Sequence, residues 1–131
     1  MPCSLSNNRL GPAGAAALAP AIAANGRLTS LNLSSNQLCG LDYRGRGTYT
    51  AEGITAVADA LRVNGGLKEL SLEGSYVGDE GVGAICEAIQ SNKDTKLASL
   101  NMGSNHIGQV GAKSVAAMVA VTGSLTQVLA Y

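Results

Sequence analysis

The groups able to carry catalysis or hold a metal are few in this sequence and do not cluster. It has one histidine, His106, and so no second imidazole to share a metal or complete a proton relay. The H-E-x-x-H spacing, which sets two imidazoles and a general base on one helix face around zinc, is absent. His106 reads as a surface-loop residue, and neither a catalytic residue nor a metal site is expected. Gly108-Gln109-Val110-Gly111-Ala112-Lys113-Ser114 has the glycines and lysine of a phosphate loop. Ala112 stands where the glycine before the lysine is needed, so the match fails. Gly45-Arg46-Gly47 has no third glycine at the dinucleotide-binding spacing. The paired carboxylates Asp79-Glu80 precede a helical pattern, where negative charge is favoured by the helix dipole, so capping explains them. No cofactor is implied. Cys3, Cys39 and Cys86 are an odd, unclustered set, which fits a reducing, cytoplasmic compartment. Cys3 and Cys86 fall at core positions, whereas Cys39 opens an irregular stretch and is expected to be the more accessible thiol.

The elements that must position these groups are read from composition and spacing. The chain has 131 residues, 46% of them hydrophobic, yet it has no Phe and no Trp. Its core must therefore be built from medium aliphatics in thin, regular layers. Seventeen glycines imply frequent turns, and a net charge of zero lacks the basic footprint of a nucleic-acid binder. A low charged fraction with high hydropathy excludes bulk disorder. No run of about 18 apolar residues suggests a membrane span, and Met1-Pro2-Cys3-Ser4 does not open like a signal peptide. The Asn32-Leu33-Ser34 glycosylation-like triplet is read as fortuitous.

The chain repeats itself. Leu28, Leu31, Leu33, Asn36 and Leu38 follow L-x-x-L-x-L-x-x-N-x-L. Leu67, Leu70, Leu72, Ser75 and Val77 repeat it, as do Leu97, Leu100, Met102, Asn105 and Ile107. Cys3, Leu5, Asn8 and Leu10 match its tail, and Leu125, Val128 and Ala130 its head. The third apolar position recurs at Leu5, Leu33, Leu72 and Met102, a unit of about 28 residues with one insertion near 39–50 and a short one near 93–96. Between these motifs, Gly14, Gly53, Gly81 and Gly111 each lead a helical pair: Leu18 and Ile22, Val57 and Leu61, Ile85 and Ile89, Val115 and Val119. Spacing i, i+4 sets each pair on one helix face. Pro12 suits a first helical turn. Thr50 and Asp79 are expected N-caps. Asn25-Gly26, Asn64-Gly65 and Thr122-Gly123 are expected to end helices in the left-handed conformation.

These strand and helix motifs resemble the ribonuclease-inhibitor class of leucine-rich repeats. The resemblance covers essentially the whole chain outside the insertion. It implies an α/β fold: a right-handed solenoid, a horseshoe segment with a parallel β-sheet on the concave face and α-helices on the convex face. One domain, 1–131, is expected, with repeats at 1–27, 28–66, 67–96 and 97–124 and a partial strand at 125–131. It also implies a buried structural column of Asn8, Asn36 and Asn105, bonding the backbone of adjacent turns, which Ser75 interrupts. The expected function is a non-enzymatic protein–protein interaction module. The alternatives are a regulator of a small GTPase, as in the Ran GTPase-activating protein of the same class, or a structural fragment of a longer array.

Solenoids bind through the concave sheet and its rim. The outward strand positions, from Ser4 to Gln127, read as small and polar, with Glu69 and Glu73 their only charges and no Trp, Tyr or Arg anchor. The insertion concentrates Tyr43, Arg44, Arg46 and Tyr49, which together with Glu69 and Glu73 form the candidate partner-binding set. The competing reading pairs Arg44 and Arg46 with Glu52, Glu73 or Asp79 and lays the tyrosines over the next repeat. A protein partner is expected; nucleic acid and membrane are not. The apolar last helix, Val110 to Val121, and the open strand edges predict end-to-end self-association or continuation into further repeats.

Overall fold

The computed structural model describes residues 1–131. Five three-residue strands alternate with four helices: β1 Pro2–Ser4, α1 Gly11–Ala24, β2 Ser30–Asn32, α2 Glu52–Leu61, β3 Glu69–Ser71, α3 Gly78–Ser91, β4 Ser99–Asn101, α4 Gln109–Val121 and β5 Gln127–Leu129. The strands form one parallel sheet in sequence order, β1-β2-β3-β4-β5. Parallel neighbours need a crossover, and each helix supplies one. The register is invariant: Cys3, Leu31, Leu70, Leu100 and Val128 stand side by side. That row points toward the helices and the flanking residues point out, so the apolar alternation of the motif becomes one inner and one outer sheet face. This is the leucine-rich-repeat solenoid, with the sheet concave and the helices convex.

The core is one contiguous layer between sheet and helices, with Leu33, Leu72, Met102, Val57, Ile85 and Ile89 fully enclosed. Each helix packs on the helices of the adjoining coils and each strand on the strands of the adjoining coils, as a one-dimensional stack requires. Coil spacing is set where backbones meet. A Cβ on Gly53 would lie 2.5 Å from the Pro12 carbonyl oxygen and 2.7 Å from its Cα, so only glycine lets α2 approach the start of α1. Helix α4 buries only Gly111 and Met118 completely, and leaves Val110, Val119 and Val121 exposed.

Two buried asparagine ladders stitch the coils together. At the strand exits, Asn36 Oδ1 accepts from the amides of Asn8 and Leu10 at 2.9 and 3.3 Å, while its Nδ2 donates to Leu5 O and Ser34 O. Asn105 does the same two seams further on, accepting from Ser75 and Val77 and donating to Leu72 O, Met102 O and Gly103 O. Both residues are 0% exposed. Asn8 departs from the expected column: its side chain is exposed, and its Nδ2 donates only within its own turn, to Leu5 O and Ser6 O.

The second ladder was not anticipated. Asn64 Nδ2 donates to Ile22 O at 2.7 Å, and Asn92 Nδ2 to Leu61 O and Asn64 O at 2.9 and 2.8 Å. These residues follow the helices, as expected of Asn25 and Asn64, but the conformation differs from the expected left-handed cap. Asn25, Asn92 and Thr122 are extended, with φ near −90°; Asn92 turns its side chain onto the preceding coil, whereas Asn25 Oδ1 accepts from the Arg27 and Leu28 amides of its own turn. The N-cap expectations also change. Thr50 Oγ1 accepts from the Glu52 amide at 3.3 Å, but α2 is preceded by Ala51 without a side-chain cap. Asp79 lies inside the first turn of α3 and reaches the next coil, accepting from the Gly108 amide at 2.6 Å.

Candidate functional site

The outer sheet face and the turns at its exit enclose a groove of about 1070 Å³. Its floor is polar: Asn32, Ser34, Ser71, Glu73 and Asn101. These are the concave positions the strand register assigns. The walls come from the exit turns, which carry Arg9, Gln37 and Tyr76, and from the insertion, which carries Tyr43. The expectation of a face without Tyr or Arg is therefore corrected, since the strand positions alone do not describe the surface.

The exit turns present side chains through an uncommon backbone. In each coil the residues just before and just after the ladder position have positive φ: Asn7 and Arg9, Ser35 and Gln37, Gly74 and Tyr76, Ser104 and His106, all between 52° and 66°. Left-handed backbone at a bulky residue costs about 1 kcal/mol. Here it turns the next two amides inward, where Asn36 and Asn105 accept them, and turns Arg9, Gln37, Tyr76 and His106 out to the rim. Tyr76 and His106 meet there, with ring centroids 5.3 Å apart. Strand register treats this turn position as variable, but listing it across the units would have found the rim.

Glu73 is the charge at the groove's centre. Asn101 Nδ2 donates to its Oε2 at 2.6 Å. Tyr131 falls in the same concave column as Ser34, Glu73 and Gly103, continuing the ladder through the Ser104 amide to its carbonyl at 2.7 Å. Its ring lies across Gly103, the one side-chain-free position in that column, and its hydroxyl sits beside Glu73. Desolvation and the neighbouring carboxylate raise the affinity of that phenol for its proton. The ring remains 68% exposed. The outward positions read from the sequence end at Gln127, although Ala130 in the third apolar position places Tyr131 next in this column. Glu69 is exposed beside Ser30, whose Oγ lies 3.5 Å from its Oε2.

The insertion is an ordered loop built around one carboxylate. Asp42 Oδ1 accepts from the amides of Arg44 and Arg46 at 2.9 Å each, and Asp42 Oδ2 pairs with Arg46 Nε at 3.0 Å. These bonds, the Arg46 amide foremost, hold the carboxyl below the usual range. The guanidinium of Arg44 stacks over the Tyr43 ring at 5.3 Å. Neither arginine pairs with Glu52, Glu73 or Asp79 as the competing reading expected: Arg46 is taken by Asp42 and Arg44 by the Tyr43 ring. The loop's anchor is Tyr49, half-buried, whose hydroxyl donates to Val77 O at 2.5 Å. Cys39, expected to be accessible, is fully buried under this loop, and burial pushes its thiol pKa up. Of the candidate set, Tyr43 and Glu73 share the groove. Arg44 stacks on Tyr43, Arg46 is held within the loop, Glu69 begins the central strand outside the groove, and Tyr49 serves as the tether.

One leucine-rich-repeat model matches residues 4–19, 67–86 and 93–116, and a second such model matches residues 27–45. The chain belongs to the leucine-rich-repeat family. Its repeats are of the ribonuclease-inhibitor-like class: it is similar to the ribonuclease inhibitor of Mus musculus, 39% identical over 85 residues, which cover 65% of this chain and 16% of that relative. The matched segment thus spans about a sixth of the relative's length. In this leucine-rich-repeat chain the family's strand and asparagine positions are the buried ones, and the groove is made by the positions the motif leaves free. No helix is long and apolar enough to cross a membrane.

Proposed function

We propose that this chain is a protein-interaction module, not an enzyme, and that it binds its partner in the concave groove between the Tyr43 loop and the exit-turn rim. The observation that carries this reading is the convergence of Tyr43, Tyr76 and Glu73 on one open polar surface, each held by neighbours before a partner arrives. Preorganised aromatic side chains lose little entropy on binding, and such residues dominate interface energetics. Tyr43 is 67% exposed and already braced by Arg44. The mouse relative's name, ribonuclease inhibitor, points in the same direction, toward a protein ligand. A zero net charge argues against nucleic acid, and the free thiols Cys3, Cys39 and Cys86 fit a cytoplasmic setting.

Affinity capture with the wild-type chain, followed by binding measurements on the recovered partner, tests the proposal. Tyr43→Ala and Glu73→Ala are each expected to weaken binding by about 1 kcal/mol or more, the level that marks an interface anchor. Gln90→Ala, on the exposed helical face, is the control and should change nothing. A partner that binds both groove variants as tightly as wild type, and loses affinity with the control, would place the interface on the convex side and refute the groove.

A further inference from the structure

The strand-exit ladder has one rung of different chemistry. Asn36 and Asn105 each accept from two amides of the preceding coil and donate back to one of its carbonyls. By register, the third coil's rung, Ser75, faces the amides of Asn36 and Leu38. Ser75 is 0% exposed, and so are Asn36 and Leu38. Its single hydroxyl donates to Leu33 O at 3.3 Å, the counterpart of one carboxamide bond. The amides of Asn36 and Leu38 meet no acceptor from backbone or side chain. Two fully buried amides without partners are rare, because each retains the desolvation cost of a lost hydrogen bond. The backbone around them is not relaxed to compensate. Ser35 and Gln37 keep the same positive φ, 57° and 54°, as their equivalents at Ser104 and His106, so both amides still point at the rung.

We infer that this rung is a binding site for one structural water molecule, which takes the place of the carboxamide. The donor and acceptor count matches. The water accepts from the amides of Asn36 and Leu38, donates one proton to Ser75 Oγ, and donates the other to Glu73 O. That carbonyl already accepts from the Ser35 amide, as Ser34 O accepts from both the Asn7 amide and Asn36 Nδ2. Buried waters make about three hydrogen bonds and occupy polar sites, and a serine in place of an asparagine frees room for about one water. The site lies directly beneath the groove, between Gln37 and Tyr76, so the water holds the turns that present both residues.

A crystal structure of the wild-type chain at a resolution that shows ordered water tests this directly, paired with Ser75→Asn. The expected result is one buried density peak at hydrogen-bond distance from the Asn36 and Leu38 amides, replaced in the variant by the introduced carboxamide, together with a higher urea midpoint for the variant. Both amides dry, or turned onto other acceptors, would overturn the inference. So would a Ser75→Asn chain that fails to fold or is less stable than wild type, since the space assigned to the water would then not exist.

Discussion

At the scale of single residues, a side chain's value here depends on where its coil stands in the stack. Asn8 and Asn105 occupy the same motif position, but the Asn105 side chain makes five hydrogen bonds, three of them to the preceding coil, and the Asn8 side chain serves only its own turn. Asn105→Ala strands two buried amides and several carbonyls, each costing about 1–3 kcal/mol, so a loss of about 3 kcal/mol or more is expected in urea unfolding. Asn8→Ala is expected to cost less than about 1 kcal/mol; equal losses would contradict the ladder. Asp42 gives a pH-dependent counterpart. Its folded pKa is depressed, so the bonds it makes favour the closed loop above the ordinary carboxyl value of about 3.9 and are lost as pH falls through the lower, folded value. NMR titration should place its midpoint below 3.9, with the Arg44 and Arg46 amide resonances shifting in step. A midpoint at or above the ordinary value would show the loop is not organised around this carboxylate.

At the scale of elements, close approach of backbones sets the design. Gly53 faces the Pro12 carbonyl at a distance no Cβ can share, and backbone cannot swing aside as a flexible side chain can. Gly53→Ala is therefore expected to destabilise by about 1–3 kcal/mol, the usual range for overpacking. Gly26→Ala, with open space around its Cβ position, should stay within about 0.5 kcal/mol. Thermal unfolding of the two variants checks this, and a harmless Gly53→Ala would mean α1 and α2 can slide apart. These elements were largely legible in the sequence. Strands, helices and inward leucines follow from an apolar spacing repeated four times, and repetition averages out local ambiguity. What was not legible is what one unit does to the next: the Asn64–Asn92 ladder, Asp79 reaching Gly108, Asn8 left outside. A motif read one copy at a time does not show which neighbour a polar side chain will bond. The groove was half legible for the same reason. Its floor follows strand alternation, whereas Tyr43 and Tyr76 come from a loop and a turn whose direction depends on Asp42 and on left-handed backbone.

At the scale of the whole molecule, the stack makes stability a local quantity. Each helix packs only on its sequence neighbours, so a coil is stabilised by at most two interfaces. Helices α2 and α3 have both, and they bury six residues each, whereas α4 packs only on α3 and buries two. Arg62 adds a surface tie between α2 and α3, reaching Ser91 Oγ at 3.1 Å and Glu87 at 3.4 Å. An exposed pair of this kind adds a few tenths of a kcal/mol, so the difference rests on burial. A buried aliphatic side chain is worth about 1.5–3 kcal/mol, and α4 has one large one, Met118, where α3 has Val82, Ile85 and Ile89. Amide hydrogen exchange should therefore show α4 opening alone, with little dependence on urea, while the amides of α2 and α3 exchange only with global unfolding. Met118→Ala should speed exchange throughout α4 and leave the α2 amides unchanged, because the lost packing is confined to the last interface. If all four helices exchange with one common free energy, the chain folds as a single cooperative block and the nearest-neighbour account fails. If α4 opens first, the central coils form the stable platform, and those are the coils that carry Glu73, Tyr76 and the tethered Tyr43 loop.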